Sequence, residues 1–134
     1  MTEGPVSDRK LILVADDDKD LVTALSIRLK AAGYGVVGAH DGEEAFSVAQ
    51  EHKPDLIILD VRMPAGGGFS SIDKIKHSLN TRNIPVILLT NLGQKSDVLR
   101  GLDLGATDYL IKAHFMPSEV IDKIKQTLTK NRRS

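Results

Sequence analysis

Three stretches of this chain, Leu-Ile-Leu-Val at 11–14, Leu-Ile-Ile-Leu at 56–59 and Val-Ile-Leu-Leu at 86–89, contain no polar side chain. A strand with one wet face alternates apolar and polar residues, because successive side chains point to opposite faces. Strands without that alternation need apolar cover on both sides. A parallel sheet with helices packed on each face provides it. Two shorter runs rich in apolar residues bring the expected strands to Leu11–Ala15, Val36–Ala39, Leu56–Leu59, Val86–Leu89 and Tyr109–Ile111.

Segments of helical period separate and follow these runs. Leu21, Leu25 and Leu29 recur every fourth residue, with Gly33 placed as a C-terminal cap. Asp41 precedes Glu44 by three residues, the spacing of a capping box, ahead of a helix over Ala45–His52. A third pattern runs from Phe69 to about Leu79. A fourth covers Ser96–Leu104, with Val98, Leu99 and Leu102 apolar and Gly101 weakening it. The last opens at Pro117-Ser118-Glu119 and carries Val120, Ile121, Ile124 and Leu128 as one stripe. Each stripe reads as a face packed on the sheet. Regular β–α alternation with short connections specifies one α/β domain, a parallel five-stranded sheet between two helix layers. Residues 10–130 are expected to form it, with 1–9 and 131–134 as solvated tails.

Composition narrows the function classes. At 134 residues the chain suits a single domain, and with no Cys it can build neither disulfides nor thiolate metal sites. Lys+Arg and Asp+Glu both number 18, so no overall basic field draws nucleic acid or anionic lipid. No apolar run reaches the roughly 18 residues of a membrane span, and Met1–Asp8 does not resemble a signal peptide. The expectation is a cytoplasmic domain that spans no membrane and contacts no nucleic acid directly.

Ligands of open α/β sheets gather beyond the carboxyl ends of the strands. Strand one ends in Asp16-Asp17-Asp18, strand three in Asp60 and strand four in Thr90, while Lys112 follows strand five. In the order 2-1-3-4-5 these four ends would meet, leaving strand two and His40 to one side. Carboxylates crowded in this way are relieved by a shared proton or a cation. Hard oxygen ligands with open water positions suit Mg²⁺. The Asp60 carboxylate is then a sensible nucleophile toward a phosphoryl group, since carboxylates form aspartyl phosphates. Lys112 and Thr90 would supply a charge and a hydrogen bond to the transferred oxygens.

From about Lys10 to Leu128 the chain resembles the receiver domain of two-component response regulators. The matching residues are Leu-Ile-Leu-Val-Ala-Asp-Asp-Asp at 11–18, Asp-Val-Arg-Met-Pro at 60–64 with Gly68, Val-Ile-Leu-Leu-Thr at 86–90, and Gly-Ala-Thr-Asp-Tyr-Leu-Ile-Lys at 105–112. The resemblance implies a flavodoxin-like (βα)5 three-layer sandwich of order 2-1-3-4-5, an order already known from a chemotaxis receiver. It implies Asp60 as phosphoacceptor and Asp17 as a direct Mg²⁺ ligand. Asp16 would act on the metal largely through water, and the Arg62 backbone carbonyl would complete the protein ligands. Thr90 and Lys112 would hold the phosphoryl group, and Tyr109 would be the aromatic that moves with Thr90 in the switch. Implied partners are a sensor histidine kinase or phosphotransfer protein and a downstream protein target. The target would bind at the fourth helix, fifth strand and fifth helix, with the chain a monomer or a phosphorylation-dependent dimer. Self-phosphorylation and slow autodephosphorylation would be its only chemistry.

Several positions depart from the family pattern. Ala113 follows Lys112 where the family has Pro, often cis; a cis bond without Pro costs roughly 2.5–4 kcal/mol. Asn91 stands where a small residue is usual, and Arg62 and Leu92 flank the pocket entrance. Asn91 and Leu92 are expected to slow hydrolysis of the phosphoryl group. Two other functions use similar residues. A haloacid-dehalogenase-type phosphatase also has an Asp nucleophile, but wants a second acid where this chain has Arg62. A pseudo-receiver would bind partners without phosphorylation; Asn91 and Ala113 leave that open, while Asp17, Asp60, Thr90 and Lys112 oppose it. His40, His52, His77 and His114 have no metal-ligand spacing, and Ala65–Gly68 reads as a loop beside the pocket.

Overall fold

The computed structural model describes residues 9–63, 67–91, 95–112 and 117–133, with 117 and 131–133 as backbone only. Strands β1 (Leu11–Ala15), β2 (Gly35–Ala39), β3 (Leu56–Asp60), β4 (Val86–Thr90) and β5 (Asp108–Ile111) form one parallel sheet. Its order is β2-β1-β3-β4-β5, as the resemblance implies. Helices α1 (Lys19–Ala31), α2 (Gly42–His52), α3 (Gly67–His77), α4 (Lys95–Asp103) and α5 (Pro117–Arg133) follow the strands in turn. Residues 131–133, read above as tail, form the last turn of α5. No Gly or Pro between Leu128 and Arg133 stops the helix earlier.

The unbroken apolar runs are explained by two cores. Leu13, Ala15, Ile57, Leu59, Val86 and Leu88 face Ala45 and Ala49 of α2 and Ile72 and Ile75 of α3. Their neighbours Ile12, Val14, Leu56, Ile58, Ile87 and Leu89 face Val22, Leu25 and Leu29 of α1 and Val120 and Ile124 of α5. Each fully buried Leu or Ile stabilises the fold by about 1.5–3 kcal/mol relative to exposure, so both layers are needed. Among the described residues no helix is long and apolar enough to cross a membrane.

Local signals set the helix ends. Gly33, at φ +99°, donates its N–H to the Lys30 carbonyl, and Tyr34 donates to Leu29, closing α1 in a Schellman motif. The Asp41 side chain accepts the Glu44 N–H at 2.8 Å, but Glu44 reaches back to the His40 N–H at 2.7 Å, one residue before the cap. The fourth helix differs from expectation. Leu99 is 60% exposed and Leu102 36%, whereas Gly101 is buried over Leu88. The missing side chain at 101 lets the α4 backbone settle on β4, which turns the two leucines outward.

At the other pocket edge, Gly68 in the first turn of α3 lies against the backbone of Asp60 and Val61. A Cβ there would collide with the Asp60 carbonyl and lie 2.7 Å from Val61 Cα, both backbone atoms that cannot rotate away. Gly68→Ala should therefore destabilise the protein by about 1–3 kcal/mol, the range for overpacking. Thermal unfolding checks this; an unchanged midpoint would mean that the β3–α3 connection gives way freely.

Candidate functional site

Register brings the strand ends level. Ala15 pairs with Leu59, Asp60 with Leu89 and Thr90 with Ile111, so the chain leaves β1, β3, β4 and β5 along one edge. The Lys112 N–H then donates to the Thr90 carbonyl at 2.8 Å, holding Lys112 beside the end of β4.

The consecutive aspartates after β1 divide their work. Asp16 is fully buried, and its Oδ1 accepts the Asp18 N–H at 2.9 Å, which fixes the turn. Asp18 caps α1, accepting the N–H groups of Asp20 and Leu21. Asp17, between them, is exposed. Asp60 is 4% exposed; its Oδ1 accepts the Arg62 N–H at 3.2 Å and its Oδ2 accepts from Lys112 Nζ at 3.1 Å. Lys112 Nζ also lies 2.8 Å from Asp16 Oδ2. That contact is ionic but outside hydrogen-bonding geometry, so this buried oxygen keeps an unsatisfied lone pair. Asp16, Asp17 and Asp60 each offer a carboxylate oxygen, all within 4.8 Å of one another. Thr90 Oγ1 is buried with no hydrogen-bond partner among the described residues.

Crowding sets the electrostatics. Burial, reinforced by the Asp60 charge, pushes the Asp16 carboxyl from 3.8 up to about 6, against the opposing pull of Lys112 and the Asp18 amide. Burial draws the Lys112 ammonium down, but Asp16 and Asp60 outweigh it and hold the group above its ordinary range. Among the described residues, one ammonium faces carboxylates that outnumber it, and a hydroxyl lies buried beside them. Hard-oxygen ligands with spare coordination fit a divalent cation of the Mg²⁺ type.

Asp16, Asp17, Asp60 and Lys112 are thus brought together, with Thr90 buried at the neighbouring strand end. Tyr109 is separate, 39% exposed on β5. The Arg62 backbone joins the site, while its side chain runs outward to Asp97 of α4 at 2.9 Å. Asp97 was missed in the sequence reading. Its only local signal was an acid in the first turn of a helix, which normally reflects the helix dipole. Asn91 is exposed. Leu92, Ala113 and His114, singled out from sequence, lie outside the described residues, as do Ala65 and Gly66.

Comparison with known proteins adds to this geometry. The family model of the response regulator receiver domain matches residues 12–125. The alkaline phosphatase synthesis transcriptional regulatory protein PhoP of Bacillus subtilis is 39% identical over 122 residues, covering 91% of this chain and 50% of PhoP. The chain spans about half the length of the curated relatives it matches. Chemotaxis response regulator CheY4 of Vibrio cholerae superposes with a TM-score of 0.82 at 30% identity, over 88% of this chain and 98% of CheY4. The receiver domain of sensor histidine kinase PA1611 from Pseudomonas aeruginosa gives 0.83 at 29% identity, over 90% and 98% of the two chains. That structure has a magnesium ion coordinated in its active site cleft.

Proposed function

We propose, from the premise that this chain belongs to the response regulator receiver domain family, that it is a switch accepting a phosphoryl group on Asp60. The observation that carries this reading is the convergence of Asp16, Asp17, Asp60 and Lys112 at one sheet edge. The unit proposed to act is residues 10–130, in the cytoplasm. A sensor histidine kinase or phosphotransfer protein is the proposed donor.

In the transfer step an Asp60 carboxylate oxygen forms a bond to phosphorus while the donor's nitrogen–phosphorus bond breaks, and the nitrogen leaves with the electron pair. Lys112, 3.1 Å from Asp60 Oδ2, is placed to follow the charge from carboxylate to phosphoryl oxygen. The Thr90 hydroxyl, buried without a partner among the described residues, would gain a hydrogen bond to the new group. Leaving such a hydroxyl unpaired costs about 1–3 kcal/mol, a bias toward the phosphorylated state. Mg²⁺, held by Asp16, Asp17, Asp60 and the Arg62 carbonyl, would supply neutralising charge when bound. A haloacid-dehalogenase-type phosphatase wants a second acid where Arg62 stands, so rapid turnover of that kind is not expected.

Downstream, the face of α4, β5 and α5 is the proposed partner surface. Leu99, Leu102 and Tyr109 expose apolar area there. Movement of Thr90 toward the phosphoryl group would open space for Tyr109, changing that face. Direct nucleic-acid or membrane contact is no part of this reading. Whether partners bind a monomer or a phosphorylation-dependent dimer is read from mass in solution with and without phosphorylation.

The direct test is incubation with acetyl phosphate and Mg²⁺, followed by intact-mass measurement. The expected product carries one phosphoryl group, and chelating the metal prevents its formation. No adduct with Mg²⁺ present, or continuous release of phosphate at an enzymic rate, would refute the reading.

A further inference from the structure

Arg62 touches both the acceptor carboxylate and α4. Its backbone N–H donates to Asp60 Oδ1 at 3.2 Å. Its side chain runs the other way and donates from Nε at 3.1 Å to Asp97 Oδ2, with Nη2 at 2.9 Å from the same oxygen. The two partners sit in unlike surroundings, since the Arg62 side chain is 64% exposed and that of Asp97 14%.

An ion pair with one such exposed member is weakly held, because water and salt screen it and the long side chain loses freedom. A phosphoryl group on Asp60 adds nearly two negative charges and strong acceptor oxygens two residues before Arg62. Guanidinium groups match phosphate with paired hydrogen bonds, and such charge-assisted bonds are stronger than neutral ones. The competition for Arg62 therefore favours the phosphoryl group. Asp97 would then keep its charge in a poorly hydrated place without that guanidinium, at the first turn of α4 where the helix dipole favours an acid. The first turn of α4 would lose its tie to the β3–α3 connection.

We propose that the Arg62–Asp97 pair is a latch between the acceptor site and α4, opened when a phosphoryl group on Asp60 takes the Arg62 guanidinium. The latch rests on the phosphoacceptor reading above, and it works in both directions. By linkage, any event that opens the pair at Asp97 strengthens phosphoryl binding by the same factor. A partner whose cationic side chain engages Asp97 would thus stabilise the phosphorylated state, without touching the pocket.

Beryllofluoride, which mimics the phosphoryl group on a carboxylate, tests this by calorimetric titration at fixed Mg²⁺. The set is the wild type, Asp97→Asn, Arg62→Gln and the double substitution, each checked for folding by circular dichroism. Asp97→Asn should bind beryllofluoride about three- to fivefold more tightly than wild type, equivalent to up to about 1 kcal/mol. In the Arg62→Gln background the Asp97 change should have no effect. A latch is refuted if Asp97→Asn binds no tighter, or if its gain persists without Arg62. Failure of the wild type to bind at all would instead overturn the phosphoacceptor reading, and the latch with it.

Discussion

Asp60→Asn is expected to abolish covalent phosphorylation while leaving the fold intact. The amide is nearly isosteric with the carboxylate, and its oxygen can still accept the Arg62 N–H now received by Oδ1. Lys112 would lose one of its two carboxylate contacts and keep the 2.8 Å contact with Asp16. What disappears is the nucleophile, since a neutral amide oxygen does not attack phosphorus at a useful rate. Removing a nucleophile from an assembled site costs several powers of ten, so the adduct should form at least about 10³-fold more slowly. Intact mass after acetyl phosphate and Mg²⁺ measures this directly. Phosphorylation persisting at the wild-type rate would place the acceptor elsewhere, with Asp17 the first alternative. A second consequence follows inside the pocket. The Asp60 charge is one of the effects that raise the Asp16 carboxyl, so Asp60→Asn should let that group titrate at lower pH.

The positions of the acceptor, the acids and the lysine were legible in the sequence for a simple reason. Apolar runs 11–15, 56–59 and 86–89 stop at Asp16, Asp60 and Thr90, and a parallel sheet in register turns strand ends into one edge. Helix orientation was less legible. Hydropathy reads Leu99 and Leu102 as the buried side of α4, because it assigns no value to a close backbone approach. Gly101 reads only as weakness, yet it is the residue that lies against Leu88. The aspartates at 16–18 look alike in sequence and differ in burial and hydrogen bonding once the turn forms. Arg62 and Asp97 are 35 residues apart and share no local pattern. Their contact depends on where α4 settles, which the same glycine decides.

Without a divalent cation, the protein should lose stability as pH rises from about 4 to about 6, relative to a form with Asn at position 16. The Asp16 carboxyl lies at about 6 in the fold against 3.8 as a free group. Between those values the folded protein binds more protons at this site than the unfolded chain, so stability falls as pH increases. Below the lower value both states are protonated and the burial is harmless. Above the upper value the charged group sits buried, a cost on the order of 3 kcal/mol. Lys112, held above 10.5, stays charged throughout this window and adds no slope to it. Asp16→Asn removes the buried charge, so its thermal midpoint should equal that of wild type near pH 4 and exceed it near pH 7. Mg²⁺ acts on the same charge and competes with the same proton. Its stabilisation of wild type should be largest near neutral pH, reaching about 2.7 kcal/mol at a hundred times the dissociation constant, and vanish toward pH 4. Calorimetric scans of both proteins across that range, with and without the metal, give all four curves. Parallel metal-free curves for wild type and Asp16→Asn would mean that Asp16 carries no buried-charge penalty. Stabilisation by Mg²⁺ that stayed constant with pH would mean the metal sits somewhere other than this pocket.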